Sequence, residues 1–115
     1  MATAAELQVR DKIYIGGEWV EPRGSEPIEV VNSTTEEVMG TVPACSPEDA
    51  DRAVAAARGA FDSWSRTSRE KRAGYLTAIA AGLGERAEEI AATITQELGM
   101  PLTLSQMIQV GLPTS

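Results

Sequence analysis

From Ser46 to Trp64 the chain reads SPEDADRAVAAARGAFDSW, and few stretches leave a backbone less choice. Ser46 can cap a helix, Pro47 suits the first helical position, and Glu48, Asp49 and Asp51 set negative charge at the positive end of the helix dipole. Ala50, Ala53, Val54, Ala57, Phe61 and Trp64 then recur at three- and four-residue steps, which gives one apolar stripe. Such a helix is too short to stand alone in water, so the stripe must lie on another layer.

Two more helices follow at once. Thr67 with Glu70 three residues on reads as a second capping box, and Leu76, Ile79, Ala80 and Leu83 form the apolar face of the helix it opens. Gly82 and Gly84 are expected to end or bend that helix. A third is expected from about Glu85 to Leu98, with Ala87, Ile90, Ala91, Ile94 and Leu98 aligned, stopping at Gly99 with Pro101 beyond. Thr103–Val110 is a candidate fourth helix, ending near Gly111 and Pro113.

The segment before these helices is of another kind. In YIGGEWV, Ile13–Ile15 and Trp19–Val20 read as short strands around Gly16-Gly17, whose tolerance of positive φ suits a tight hairpin. A phosphate-cradling loop would instead need glycines at a strand-to-helix junction, and no helix follows here. EPRGSEP reads as a loop; Ile28–Asn32 and Val38–Val42 are two further strands, the second closed by Pro43. Residues 1–11 show no period and read as a flexible tail. The fold class is therefore α/β: an N-terminal hairpin and short strands, then three to four helices whose covering layer is incomplete.

Charge and side-chain inventory exclude several functions. The net charge of -7 sits wholly in residues 1–50, which hold 3 Lys+Arg against 10 Asp+Glu, whereas residues 51–115 hold 7 of each. No basic surface is available to displace counterions from a nucleic acid. One cysteine and no histidine rule out disulfide frameworks, thiolate-rich zinc sites and Ser-His or Cys-His nucleophile pairs within these residues. No apolar run approaches the ~20 residues that span a bilayer, and the N-terminus lacks the order of a secretory signal, so no membrane partner and a cytoplasmic location are expected.

The pieces YIGGEWV, EVVNSTTEEVMGTVP, EDADRAVAAARGAFDSW, REKRAGYLTAIAAGL and TQELGMP occur in this order over about residues 12–101. Together they resemble the N-terminal segment of the NAD(P)-dependent aldehyde dehydrogenase superfamily. The resemblance implies that residues 12–115 are the N-terminal portion of such a domain, the part that wraps the cofactor-binding layer, truncated before the dinucleotide-binding core. It further implies a parent that oxidises an aldehyde to a carboxylic acid with NAD or NADP as a homo-oligomer, through thiolate attack, a thiohemiacetal and a glutamate base. That nucleophile and base lie outside these residues, so no catalytic and no cofactor-binding residue is expected here, and the chain alone is expected to bind no cofactor.

Peripheral sites are implied by the same resemblance. Glu97 corresponds to an acidic position that in some members helps hold a monovalent cation with backbone carbonyls, here those of Val30 and Val31; it also reads as an ordinary acid near a helix end. Ile108 and Leu112 fall on the helix that lies beside the substrate tunnel in the resembled enzymes, and equally read as the core of a short helix. Cys45, in PACSP, does not resemble the family's nucleophile motif, and no neighbouring Lys or His is placed to lower its pKa. The competing reading is a small acidic α+β module without catalysis that uses its apolar helix faces to bind a protein.

Overall fold

A computed structural model describes residues 7–24 and 26–114. They form two units, one of Met1–Val31 with Glu37–Arg66 and one of Asn32–Glu36 with Thr67–Ser115.

Among the described residues the first unit holds five strands and one helix. Strands β1 (Gln8–Val9), β4 (Pro27–Val31) and β5 (Val38–Pro43) form a sheet in the order β1-β5-β4. β4 runs antiparallel to β5, with an irregularity between Val30 and Val31. Strands β2 (Ile13–Ile15) and β3 (Glu18–Val20) form the expected hairpin, Tyr14 opposite Trp19 with their rings edge to face at 5.2 Å. Its turn is Gly16-Gly17, with φ of 64° and 92°, values that side chains resist.

The expected tail needs correcting within the described residues; the part at residues 1–6 lies outside them. Gln8 and Val9 pair in parallel with Gly40 and Thr41, and the N–H of Arg10 extends the pairing to the carbonyl of Thr41 at 2.9 Å. A two-residue strand has no period to read. What admits it is Gly40, where a Cβ would lie 2.7 Å from the carbonyl oxygen of Gln8.

Helix α1 (Pro47–Ser65) starts as the sequence demands. Ser46 caps it, accepting from the N–H of Asp49, while the Asp49 carboxylate accepts from the N–H of Ser46 in return.

The second unit contains α2 (Arg69–Glu85), α3 (Ala87–Leu98), the single α-helical turn α4 (Leu102–Leu104) and a π-helical run, Ser105–Gly111. The α2 cap is Ser68, one residue after the expected Thr67, and its hydroxyl accepts from the N–H of Lys71 at 3.2 Å. Both hydroxyls stand before an acidic first turn, so the spacing to Glu70 alone did not separate them. Gly82 and Gly84 do not end α2: nothing crowds them, and the helix continues to Glu85. Arg86 then separates α2 from α3, forking onto Glu89 at 2.7 and 3.0 Å. Gly99 ends α3 in the left-handed conformation at φ 69°, as expected. The Asn32–Glu36 turn is tied to α3 by the N–H of Ser33, which donates to the carbonyl of Gln96 at 3.0 Å. Ala91 on α3 and Val110 on the π-helical run are buried together with Ser105.

Replacing Ser46 or Ser68 by Ala is expected to cost about 1 kcal/mol each. The two caps lie in different units, so the double variant should lose about the sum. Denaturant midpoints of the two singles and the double measure this; equal midpoints in all would remove both caps from the account.

Candidate functional site

The densest polar arrangement in the first unit centres on Asp49, a residue the sequence marks only as first-turn charge. Its side chain is 2% exposed. Oδ2 accepts from the N–H of Arg23 (2.9 Å), Gly24 (3.2 Å) and Ser46 (3.0 Å) and from the Ser46 hydroxyl (3.0 Å). Oδ1 accepts from the N–H of Arg23 (3.0 Å) and from Nη1 of Arg52 (3.0 Å). The same Arg52 nitrogen reaches the carbonyl of Glu21 at 3.3 Å.

Burial acts to raise the pKa of Asp49. The N–H groups of Ser46, Arg23 and Gly24, with the Ser46 hydroxyl, outweigh it and hold the carboxyl well below the usual carboxylate range. Asp49 is thus permanently charged at neutral pH and cannot serve as an acid or base. It anchors the loop before β4 to the start of α1. The sequence signal for it was present in the Ser46-x-x-Asp49 spacing, a capping box in which Asp replaces the usual Glu or Gln.

Cys45 is exposed on the link between β5 and α1. Among the described residues no group of three or more His, Cys, Asp or Glu side chains is placed to hold a metal ion. Val30, half-buried, and Val31, exposed, lie on β4 in the first unit; Glu97 is exposed in the last turn of α3 in the second. The Gly16-Gly17 turn joins two antiparallel strands and no helix N-terminus follows it, so it does not fit the phosphates of a dinucleotide. A groove of about 620 Å³ in the first unit is lined by Val9, Ile13, Trp19, Val42 and Pro43 together with Arg10, Asp11 and Lys12.

Ile108 and Leu112 lie at the end of the second unit and are 44% and 66% exposed. They are not core residues, although their spacing suits the core of an α-helix. The buried residues of the run are Ser105 and Val110, five apart, the repeat of a π-helix.

Further exposed apolar side chains lie on the long helices. In the first unit α1 exposes Val54, Phe61 and Trp64; in the second α2 exposes Tyr75, Leu76, Ile79 and Leu83. Monomeric proteins rarely leave such contiguous faces in water, which marks them as surfaces for another layer.

Comparison with known proteins gives that layer a context. The model of the aldehyde dehydrogenase family matches residues 19–112. A 3-succinoylsemialdehyde-pyridine dehydrogenase from a Pseudomonas species is 41% identical over 89% of this chain and 20% of its own length. The crystal structure of an aldehyde dehydrogenase from Bartonella henselae superposes with a TM-score of 0.90 at 31% identity, over 93% of this chain and 22% of that one. A variant of aldehyde dehydrogenase C from Pseudomonas syringae, solved with NAD+ and octanal, gives 0.87 at 44% identity over 90% of this chain and 21% of that one. The chain spans about a fifth of the length of these relatives. Its hairpin, short strands and following helices match the part of the fold that wraps the cofactor-binding layer. The chain belongs to the aldehyde dehydrogenase family.

Proposed function

We propose that residues 12–115 are the N-terminal wrapping portion of an enzyme that oxidises an aldehyde to a carboxylic acid with NAD or NADP. The nucleophilic cysteine, which would form a thiohemiacetal with the aldehyde, and the general-base glutamate lie outside residues 1–115 in this reading. The observation that carries it is the pair of exposed apolar faces on α1 and α2 in a chain that spans about a fifth of its relatives. On this reading their apolar side chains face an α/β layer of the parent. On the same reading the parent is a cytoplasmic homo-oligomer, the substrate tunnel passes Ile108 and Leu112, and Glu97 and the carbonyls of Val30 and Val31 are candidate oxygen ligands of a monovalent cation. Oxygen ligands of that kind suit a hard cation.

The test is an assay of the full-length parent for aldehyde-dependent formation of NADH or NADPH. A pure, folded parent that reduces neither nucleotide with any of a panel of aldehydes would sink the reading. Within that parent, Cys45→Ser is expected to leave turnover within about threefold of wild type, because Cys45 stands exposed with no base beside it. Loss of turnover with the circular dichroism spectrum unchanged would reverse this assignment.

A further inference from the structure

Strand β1 lies on β5 with Val9 opposite Thr41, and the chain then runs through Arg10, Asp11 and Lys12 into Ile13 of the hairpin. Between this segment, Trp19, Val42 and Pro43 lies the groove of about 620 Å³, a size usual for small-molecule sites. Its apolar side is open to solvent: Trp19 is 67%, Val9 57% and Val42 37% exposed. Tyr14 holds the Trp19 ring edge to face, at 63° between planes, so the ring is positioned before any ligand arrives.

The polar side of the groove stands out from this half of the chain. Residues 1–50 hold 3 Lys+Arg against 10 Asp+Glu, and two of those three, Arg10 and Lys12, line the groove. The Arg10 guanidinium donates to the neutral Oε1 of Gln8 at 3.4 Å and forms no salt bridge among the described residues. Lys12 has an exposed ion pair with Glu21 at 3.7 Å, a contact that contributes little and gives way to a better-placed anion. Two cations against the single Asp11 leave the lining with one net positive charge. That balance suits a singly charged head group better than a phosphate dianion.

We propose that this groove binds a small amphipathic carboxylate, its apolar body along Val9, Trp19, Val42 and Pro43 and its carboxylate at Arg10 and Lys12. The guanidinium fork matches the two oxygens of a carboxylate, which selects this head group among monoanions. The site lies wholly within the first unit and does not rest on the reading under Proposed function.

Octanoate is the probe, with octylamine as the control for charge and acetate as the control for the apolar body. Titration calorimetry is run on the full-length parent as wild type, as Trp19→Ala and as the double variant Arg10→Ala with Lys12→Ala. Wild type is expected to bind octanoate below millimolar concentration, octylamine at least about tenfold more weakly, and acetate not measurably. Each variant should weaken octanoate about tenfold. Arg10 and Lys12 are exposed, and it is the backbone N–H of Arg10 that pairs with Thr41, so the double variant keeps the fold. It therefore decides the site even if Trp19→Ala does not fold. A crystal structure of the parent with octanoate should show the ligand beside Trp19. Octanoate affinity equal in wild type and the double variant overturns the site, and so does equal affinity for octylamine, or no octanoate binding at all. A groove filled by the parent's own chain in that crystal overturns it as well. None of these measurements needs turnover, so a parent that oxidises no aldehyde still decides the proposal.

Discussion

Replacing Asp49 by Ala is expected to cause the largest loss of stability of any single polar substitution in the chain, at least about twice that of Ser46→Ala. Ser46→Ala removes one hydroxyl, with its single donated and single accepted bond. Asp49→Ala leaves the N–H groups of Arg23, Gly24 and Ser46 without their acceptor and separates Arg52 from its carboxylate. Part-buried donors left without an acceptor add a desolvation cost to the bonds they lose. Asp49→Asn should fall between the two, since its amide keeps one acceptor oxygen but places an NH₂ group against donors.

Acid should act through the same residue. The folded pKa of Asp49 is depressed, so its contribution is fully present above the ordinary carboxylate pKa, about 3.9, and is lost as the pH falls below it toward the folded value. Melts of wild type and Asp49→Asn from neutral pH downward should therefore converge in acid. A difference between them that stays constant to the lowest pH would place the effect in packing and leave the charge without a role.

The second large effect concerns the chain by itself. Residues 1–115 alone are expected to bind hydrophobic dye, to self-associate, to bind neither NAD nor NADP at micromolar affinity and to oxidise no aldehyde. Val54, Phe61, Leu76 and Ile79 are exposed, and each large side chain left uncovered forgoes roughly 1.5–3 kcal/mol, against a typical domain stability of about 5–15 kcal/mol. Cofactor binding is not expected because the paired glycines serve a hairpin and the buried carboxylate is already saturated with donors. Titration calorimetry with both nucleotides, dye fluorescence and sedimentation on one preparation cover each part. A monomeric, dye-silent protein with a cooperative melt would favour the stand-alone interaction module. Micromolar nucleotide binding would mean that the cofactor site has been sought in the wrong place.

Local chemistry made the main elements legible without a structure. The Ser46-Pro47 start, the Gly99 stop, the Gly16-Gly17 hairpin and the β4 and β5 strands all rest on neighbours within a few residues, where backbone sterics and capping act. The residue stretches inside those elements, in their order, carried the resemblance to the family. The sequence also held a trace of Asp49, but only as one half of a capping box, because its other donors, Arg23 and Gly24, are 26 and 25 residues away.

Tertiary structure decided the rest. Strand β1 exists because Gly40, some thirty residues on, leaves room for it, and two residues carry no period by which to foresee the pairing. Thr67 and Ser68 both suit a helix cap, and the helix begins after Ser68, whose hydroxyl accepts from the N–H of Lys71. Ile108 and Leu112 have the spacing of an α-helical core, yet burial went to Ser105 and Val110, on a π-helical run that periodicity alone does not announce. Short-range rules determine where helices and turns begin and stop; which face is covered depends on what lies opposite, and that information is spread along the chain.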